Sequence, residues 1–493
     1  MFLIPNFLKV ALRNIRRNRM YSFINIAGLA IGIACTILIL LYIYDEYSYD
    51  RFHKKADRIY RLNVDAKTPA EVTKLTCSPG PMGPNLVRDF PQVESMVRIM
   101  RTSGTVAYKQ SRYQVDHALY ADSTFYNIFS FKLLKGNPDN VLAGPASVVL
   151  TEDLAKKIIG DKDPIGKTIQ LVHRGMPVTV TGVAENTPRN SHFTFDMIFS
   201  MGIWDNYNNL LHDGYRDWFR ANRWTYLLLN ESSDPAMLET RFPDFLDSHI
   251  GKAMKQKGES YKLSLIPLTN IYLYSHRKSE IAPTSNGELL YILGAIAFFI
   301  LLIACINFMN LATARSLRRA KEVGIRKVIG TNRLQVAGQF MGESMLLSFL
   351  ALIIAYTVCY LLFPLFNEFA GKHISTDLFI NGRFIAIFIG FGIFTGFIAG
   401  LYPAFVLSRF KPAKVMGGDY ANSSGGQRLR KGLIIFQFTI AILLISGSAF
   451  VYKQLAYTSN RNLGYDKENM LLLQFNDYEK FQEKYKTIKQ AFE

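Results

Sequence analysis

IAGLAIGIACTILILLYI, residues 26–43, and LLYILGAIAFFILLIACI, residues 289–306, are each 18 residues long and carry no charge. At about 1.5 Å of rise per helical residue, either run covers about 27 Å, close to the ~30 Å hydrocarbon core of a bilayer. Both read as transmembrane helices. Three further runs qualify with small blemishes: Val336 to Phe363, interrupted by Glu343, then Phe384 to Leu407, and Leu433 to Val451. A chain of 493 residues that is 49% hydrophobic and only 19% charged is therefore expected to cross the membrane five times.

Lys and Arg set the orientation, because short cytoplasmic loops retain them. Lys9, Arg13, Arg16, Arg17 and Arg19 precede the first span, and Arg315, Arg318, Arg319, Lys321, Arg326, Lys327 and Arg333 separate the second from the third. Arg409, Lys411, Lys414, Arg428, Arg430 and Lys431 lie between the fourth and fifth, whereas the loop between the third and fourth has Lys372 alone before Arg383. The N-terminus is expected inside, and the long segment after the first span outside. The fold class is that of a membrane protein, an all-α transmembrane bundle with a large mixed α/β extracytoplasmic domain.

The expected division of the chain places a cytoplasmic amphipathic helix at 1–21 and spans at 22–44, 286–312, 336–363, 383–408 and 432–452. The extracytoplasmic domain takes 45–285, a cytoplasmic helix 313–335, a short external loop 364–382, a cytoplasmic loop 409–431, and the start of a second external domain 453–493. In the first of these segments Phe7, Leu8, Ala11, Leu12 and Ile15 recur at helical spacing opposite Lys9, Arg13, Arg16 and Arg17, as in a helix lying in the membrane interface. The first span is not a cleaved signal peptide, since Tyr42, Tyr44, Asp45 and Glu46 follow it in place of a small-residue cleavage site.

The formal charge of +18 would suit nucleic acid if it lined a solvated groove with interleaved aromatics. It sits instead beside membrane spans, where it faces anionic lipid headgroups, so membrane lipid is the expected partner and nucleic acid is not. Cys35, Cys305 and Cys359 fall within spans, which leaves Cys77 alone in the external domain and rules out an internal disulfide there. An ordinary apolar core must hold that domain. Strand patterns appear at Ser147 to Leu150, Thr168 to Val172, Val178 to Val183 and Trp224 to Leu229. Helical patterns appear at Thr151 to Ile159, with Thr151 as N-cap and Gly160 as terminator, and at Ser123 to Phe129.

Catalytic patterns are missing. Gly160 and Gly166-Lys167-Thr168 imitate a phosphate loop, but five residues separate the glycines where the motif needs four. None of the eight His residues has metal-ligand spacing, and His192 reads as a satisfied core or loop histidine. No GxSxG elbow occurs. The conspicuous segment lies between spans two and three, ARSLRRAKEVGIRKVIG at 314–330. There Leu317, Ala320, Gly324 and Val328 give a helix one narrow face of small and apolar groups, Glu322 and Arg326 can pair, Gly330 suits the C′ position and Asn332 an N-cap. Small residues recur at four-residue spacing in two spans, Gly28 and Gly32 in the first and Gly392, Gly396 and Gly400 in the fourth, which allows close helix approach.

Four stretches carry a resemblance: ALRNIRRN at 11–18 leading to Gly28 and Gly32; KEVGIRK at 321–327 followed by QFMGE at 339–343; GLYPA at 400–404 with Pro412-Ala413; and DPIGK at 163–167 with TGV at 181–183. Through them the chain resembles the MacB/FtsX family of ABC transporter permeases, in the branch that duplicates its permease unit. The resemblance implies a bacterial inner-membrane protein in which a separate cytoplasmic ATPase dimer binds the ATP and pushes the helix between spans two and three. Ala320, Lys321, Glu322, Val323, Gly324, Ile325, Arg326 and Lys327 would form that docking helix, and the motion would reach a domain like the family's periplasmic core domain.

Such a chain is not an enzyme and needs no catalytic residue, metal or cofactor of its own. A periplasmic adaptor, serving export or extraction of a substrate, or a cell-wall hydrolase, regulated by a non-transporting signalling coupler, is the further partner implied. After span five, RNLGYD at 461–466 begins what reads as a second external domain before Glu493, so the chain is expected to be the first half of a longer permease. The failed loop spacing and its external location generate a direct expectation: purified chain free of ATPase subunit shows no ATP binding at micromolar concentration by calorimetry, and a binding isotherm in that range refutes it.

Overall fold

The computed structural model describes residues 19–172, 175–211, 218–318, 325, 328–408, 424–461, 485–487 and 489–490. Among them are five helices long and apolar enough to cross a membrane. They are α1 (Arg19–Tyr47), α2 (Gly287–Arg318), α3 (Arg333–Ala370), α4 (Gly382–Ser408) and α5 (Ser424–Asn460). With 38 residues, α3 is about 57 Å long and exceeds the apolar run that marked it. The proposed N-terminal interfacial helix, most of the cytoplasmic loop at 409–431 and most of the final segment lie outside the described residues.

Two compact units emerge, one of Met1–Asp45 with Glu288–Glu468 and one built on Glu46–Gly287. In the first, α1 to α4 share one apolar core that includes Leu29 and Ile33 of α1, Phe308 of α2, Ala351 and Cys359 of α3, and Ala399 of α4. The fifth helix stands apart, with 6% of its apolar window buried.

The second unit is a mixed sheet. Its strands are β1 (Ile59–Lys67), β2 (Val72–Leu75), β3 (Ser78–Pro79), β4 (Val93–Tyr108), β5 (Ser111–Ala121), β6 (Leu133–Lys135), β7 (Ser147–Thr151), β8 (Thr168–Leu171), β9 (Met176–Ala184), β10 (Met197–Ser200), β11 (Ala221–Leu229) and β12 (Ser260–Pro267). The main path runs β12-β1-β11-β4-β5-β10-β7-β9-β6. β10 on β5 and β7 on β9 are the parallel pairs among them, and every other pairing is antiparallel.

Burial on both faces explains why the central strands read as almost continuous apolar runs. In β11, Trp224, Tyr226 and Leu228 enter one core while Leu227 and Leu229 enter another on the reverse face. The common face also receives Ile59, Ile99, Leu119, Val149 and Ile198. The reverse face divides into two cores, one under β1, β11 and β12 and one under β5, β7, β9 and β10.

The helix expected at Thr151 to Ile159 is Glu152–Ile159, and Gly160 ends it at φ 79°. Its cap differs from expectation. Thr151 occupies the N-cap position without a side-chain bond to the helix, and the Asp153 N–H donates instead to Asn186 Oδ1 at 3.3 Å. A cap 33 residues away in sequence leaves no local signature. The helix near Ser123 shrinks to Phe125–Ile128, with the Thr124 hydroxyl before it turned to the Met96 carbonyl of β4.

Cys77 is buried, and burial pushes its thiol up to about 11. Several buried polar groups stand together. His192 Nδ1 lies 2.9 Å from Asp50 Oδ2, and its Nε2 lies 2.7 Å from the Tyr226 hydroxyl. His192 is therefore a buried core histidine, bonded through Nε2 and facing through Nδ1 a carboxylate 142 positions away in sequence. Beside it, His53 accepts the Ser130 N–H at 3.0 Å among Phe52, Phe129 and Phe131.

Burial pushes the His53 imidazole down to about 4, against the raising pull of Asp50 and with His192 lowering it further. An unfolded imidazole takes its proton near pH 6.5. Between about pH 6.5 and 4 the unfolded chain thus binds a proton that the native domain resists, so the contribution is present above that window and lost through it, up to about 3 kcal/mol. All three tryptophans, Trp204, Trp218 and Trp224, report on this domain. Their fluorescence should show a urea midpoint that falls more steeply from pH 7 to 4.5 in wild type than in His53→Gln, and equal slopes refute the assignment.

Candidate functional site

The segment expected to dock lies between α2 and α3. Of its eight residues Ile325 is described; Ala320, Lys321, Glu322, Val323, Gly324, Arg326 and Lys327 lie outside the described residues. Ile325 is helical and exposed, and its carbonyl accepts the Ile329 N–H at 3.1 Å. Val328 and Ile329 are exposed too, at 66% and 79%, a concentration of aliphatic surface that solvent would not favour unless another surface covers it.

The turn into α3 is well defined. Gly330 takes φ 104°, in the left-handed region open to glycine. Asn332 then caps α3: its Oδ1 accepts the Leu334 N–H at 2.6 Å, and its own N–H donates to Gln335 Oε1 at 3.1 Å. Reciprocal bonds of this kind fix where a helix starts. The segment thus ends in a sharp turn bolted to the first turn of a 38-residue helix.

The glycines of α4 form a seam with α3. A Cβ on Gly392 would lie 2.5 Å from Leu352 Cδ2, one on Gly396 2.8 Å from Ser348 Cβ, and one on Gly400 2.8 Å from Ser344 Cβ. As α4 advances from 392 to 400, α3 recedes from 352 to 344, the mark of an antiparallel pair. Ser348 Oγ donates to the Gly392 carbonyl at 3.1 Å within the seam. In α1, a Cβ on Gly32 would lie 2.5 Å from Ala304 Cβ of α2, whereas one on Gly28 has Asn307 Nδ2 at an ordinary 3.5 Å. Thr36 Oγ1 donates to the Ala297 carbonyl at 3.2 Å on the same side. Sequence spacing pointed to the glycines but not to Ser344 and Ser348, whose small side chains complete the seam.

Chemistry remains sparse. Among the described residues no three His, Cys, Asp or Glu side chains converge to hold a metal. The segment from Gly160 to Thr168 follows the C-terminus of a helix and leads into β8, so it presents no helix N-terminus to a phosphate. Its Asp163 pairs with Lys135 at 2.9 Å and receives the Ile165 N–H at 3.4 Å, the bonds of a surface turn. A buried ionic group, Arg98 with Asp122 at 2.7 Å and Asp205 at 3.3 Å, and Arg223 with Asp205 at 3.6 Å, holds β4 and β11 to the helix that carries Asp205. Burial raises the Asp205 carboxyl, opposed chiefly by Arg98 and Arg223.

Residues 22–244 match the model of the MacB-like periplasmic core domain, and residues 294–412 match that of the FtsX-like permease C-terminal domain. The macrolide export ATP-binding/permease protein MacB of Neisseria gonorrhoeae is 22% identical over 336 residues, which is 66% of this chain and 47% of that protein. The uncharacterized ABC transporter permease YknZ of Bacillus subtilis is 20% identical over 444 residues, 84% of this chain and 99% of that one. The chain spans about half the length of the MacB relatives it matches and nearly all of YknZ. The periplasmic region of MacB from Actinobacillus actinomycetemcomitans aligns at TM-score 0.31 and 14% identity, covering 44% of this chain and 91% of that one.

The seam can be tested apart from any partner. Gly396→Leu should overpack it at a cost of about 1–3 kcal/mol, exposing the bundle cysteines Cys305 and Cys359 to a thiol-reactive dye at lower temperature. Gly390→Leu, on the same helix but with nothing within 4 Å of the added carbon, should leave the labelling temperature unchanged. Equal effects of the two substitutions would show that α3 and α4 are not packed through these glycines.

Proposed function

The chain belongs to the MacB/FtsX-like family of ABC transporter permeases, and from that premise we infer that it couples ATP hydrolysis by a separate cytoplasmic ATPase to motion of its extracytoplasmic domain, for export or extraction of a substrate. The observation that carries the reading is the union, in one chain, of a MacB-like core domain with an FtsX-like permease domain, joined by long apolar helices. In this reading α1 to α5 form a transmembrane bundle with the N-terminus in the cytoplasm. The domain between α1 and α2 then lies in the periplasm of a bacterial inner membrane, the placement favoured by the basic loops.

ATP is held by an ATPase dimer, not by this chain. Ala320 to Lys327 dock on it, with the exposed Ile325, Val328 and Ile329 supplying the apolar surface that the ATPase covers. Closure of the dimer then presses on a segment tied by the Asn332 cap to α3, and the α3–α4 seam moves as one body. A periplasmic adaptor fits the export reading as the partner beyond the membrane.

The test is reconstitution with the cognate ATPase in nanodiscs, where the wild-type chain should stimulate ATP hydrolysis. Gly324→Trp fills the small face of the docking helix. It should cost about 1–3 kcal/mol of contact, a loss of affinity on the order of tenfold or more, while membrane insertion is retained. Full stimulation by Gly324→Trp would remove this segment from the interface.

A further inference from the structure

Asp45 and Glu46 are consecutive residues at the C-terminal end of α1, about 100° apart around the helix, and the division between the two compact units falls between them. Each is engaged, and with a different part of the chain. Asp45 Oδ2 lies 2.7 Å from Lys372 Nζ, whose side chain is 8% exposed, and the same ammonium stands 5.1 Å from the ring of Tyr42, one turn earlier on α1. Lys372 sits on a well-tied turn: it follows Gly371, the left-handed cap of α3, its N–H donates to the Asn367 carbonyl at 2.8 Å, and Asn367 Nδ2 donates to the Ile374 carbonyl at 2.9 Å. The cation therefore belongs to the loop that joins α3 to α4.

Glu46 is 1% exposed. Its Oε1 accepts the Tyr272 hydroxyl at 3.0 Å and its Oε2 accepts the hydroxyl of Ser285. The Ser285 N–H donates to the Tyr272 carbonyl at 2.8 Å, and Tyr49 stacks on Tyr272 with ring centroids 3.5 Å apart. Ser285 stands two residues before α2 begins at Gly287. One carboxylate thus links the first residues of the domain to its last. The exit segment it grips is fastened to the sheet as well, by Glu280 on the fully buried Arg61 at 2.7 Å and by the Trp224 indole on the Ser279 carbonyl at 2.9 Å.

Largely buried ion pairs such as Asp45–Lys372 are poor sources of net stability, since apolar side chains of equal volume often do as well. They specify geometry instead, because each carboxylate is satisfied in one arrangement of its partners. We propose that Asp45 and Glu46 are positioning residues of the coupling mechanism: Asp45, through Lys372, ties displacement of α1 to the α3–α4 loop, and Glu46, through Tyr272 and Ser285, ties it to the segment by which the domain returns to α2. The proposal rests on the permease reading and specifies where motion is handed on.

The experiment uses the full chain in nanodiscs with its cognate ATPase, compared with ADP and with a non-hydrolysable ATP analogue, and reads backbone hydrogen exchange at 371–381 and 275–285. In wild type the nucleotide should change exchange in both segments by about fivefold or more. Asp45→Asn and Lys372→Met should abolish the change at 371–381 and keep it at 275–285. Glu46→Ala, and the milder pair Tyr272→Phe with Ser285→Ala, should do the reverse.

Exchanging the charges, Asp45→Lys with Lys372→Asp, should restore at least half of the response at 371–381. A merely structural role would raise exchange equally in both nucleotide states and leave their ratio intact. Ratios within twofold of wild type in the single variants overturn the proposal. A wild-type chain that stimulates ATP hydrolysis without any exchange difference overturns it while sparing the permease reading, and one that gives no stimulation at all overturns both.

Discussion

Lipid tails are as apolar as leucine, so no hydrophobic drive holds one spanning helix against another, and association depends on how closely the backbones approach. In this molecule that approach is made where glycine faces serine. Gly392, Gly396 and Gly400 lie against Leu352, Ser348 and Ser344, and a single added carbon at any of them would sit within 2.8 Å of its neighbour. α3 and α4 thus pack as a close antiparallel pair. Tyr356 extends the lock toward the connecting loop by donating to the Phe379 carbonyl at 2.6 Å, and Phe379 itself packs edge-on to Phe363.

The domain in water faces the opposite balance. There apolar burial drives assembly, and each fully buried large side chain contributes roughly 1.5–3 kcal/mol. With no disulfide available, its sheet is instead covered on both faces by three cores. The buried charges work within that apolar frame: Arg61 has Glu280, Arg98 has Asp122, and Asp50 has His192. Each pair joins segments more than 20 positions apart, and a lone charge in any of these sites would carry a large desolvation cost.

How much of this was legible in the residues depends on whether the signal is local. Helix Glu152–Ile159 announces itself through Leu154, Ala155 and Ile158 on one face and Gly160 at its end, and the spanning helices through uninterrupted apolar runs. Asn332 could be picked out as a cap because its partners are two and three residues away. Asn186 could not, because it caps a helix from 33 positions away. The same limit hid Asp50 from His192 and Ser348 from Gly392, since a chain only reveals such partners once it is folded. The motif KEVGIRK was legible in the sequence, and of it the described residues include Ile325.

Among the described residues the chain passes between its two compact units at Asp45–Glu46 and at Gly287–Glu288. At each of these two points the residues beside the crossing are held by side chains of the domain. The short helix Leu268–Tyr274 attends to both. Tyr272 binds Glu46 beside the first crossing, and the ring of Tyr274 presses so closely on Gly287 beside the second that an added Cβ there would overlap it. Leu268 and Ile271 of the same helix are fully buried in the core on the common face of the sheet. A seven-residue helix anchored in that core thus meets both ends of the domain through its two tyrosines. Both ends of the domain are thus packed against a helix of its own core.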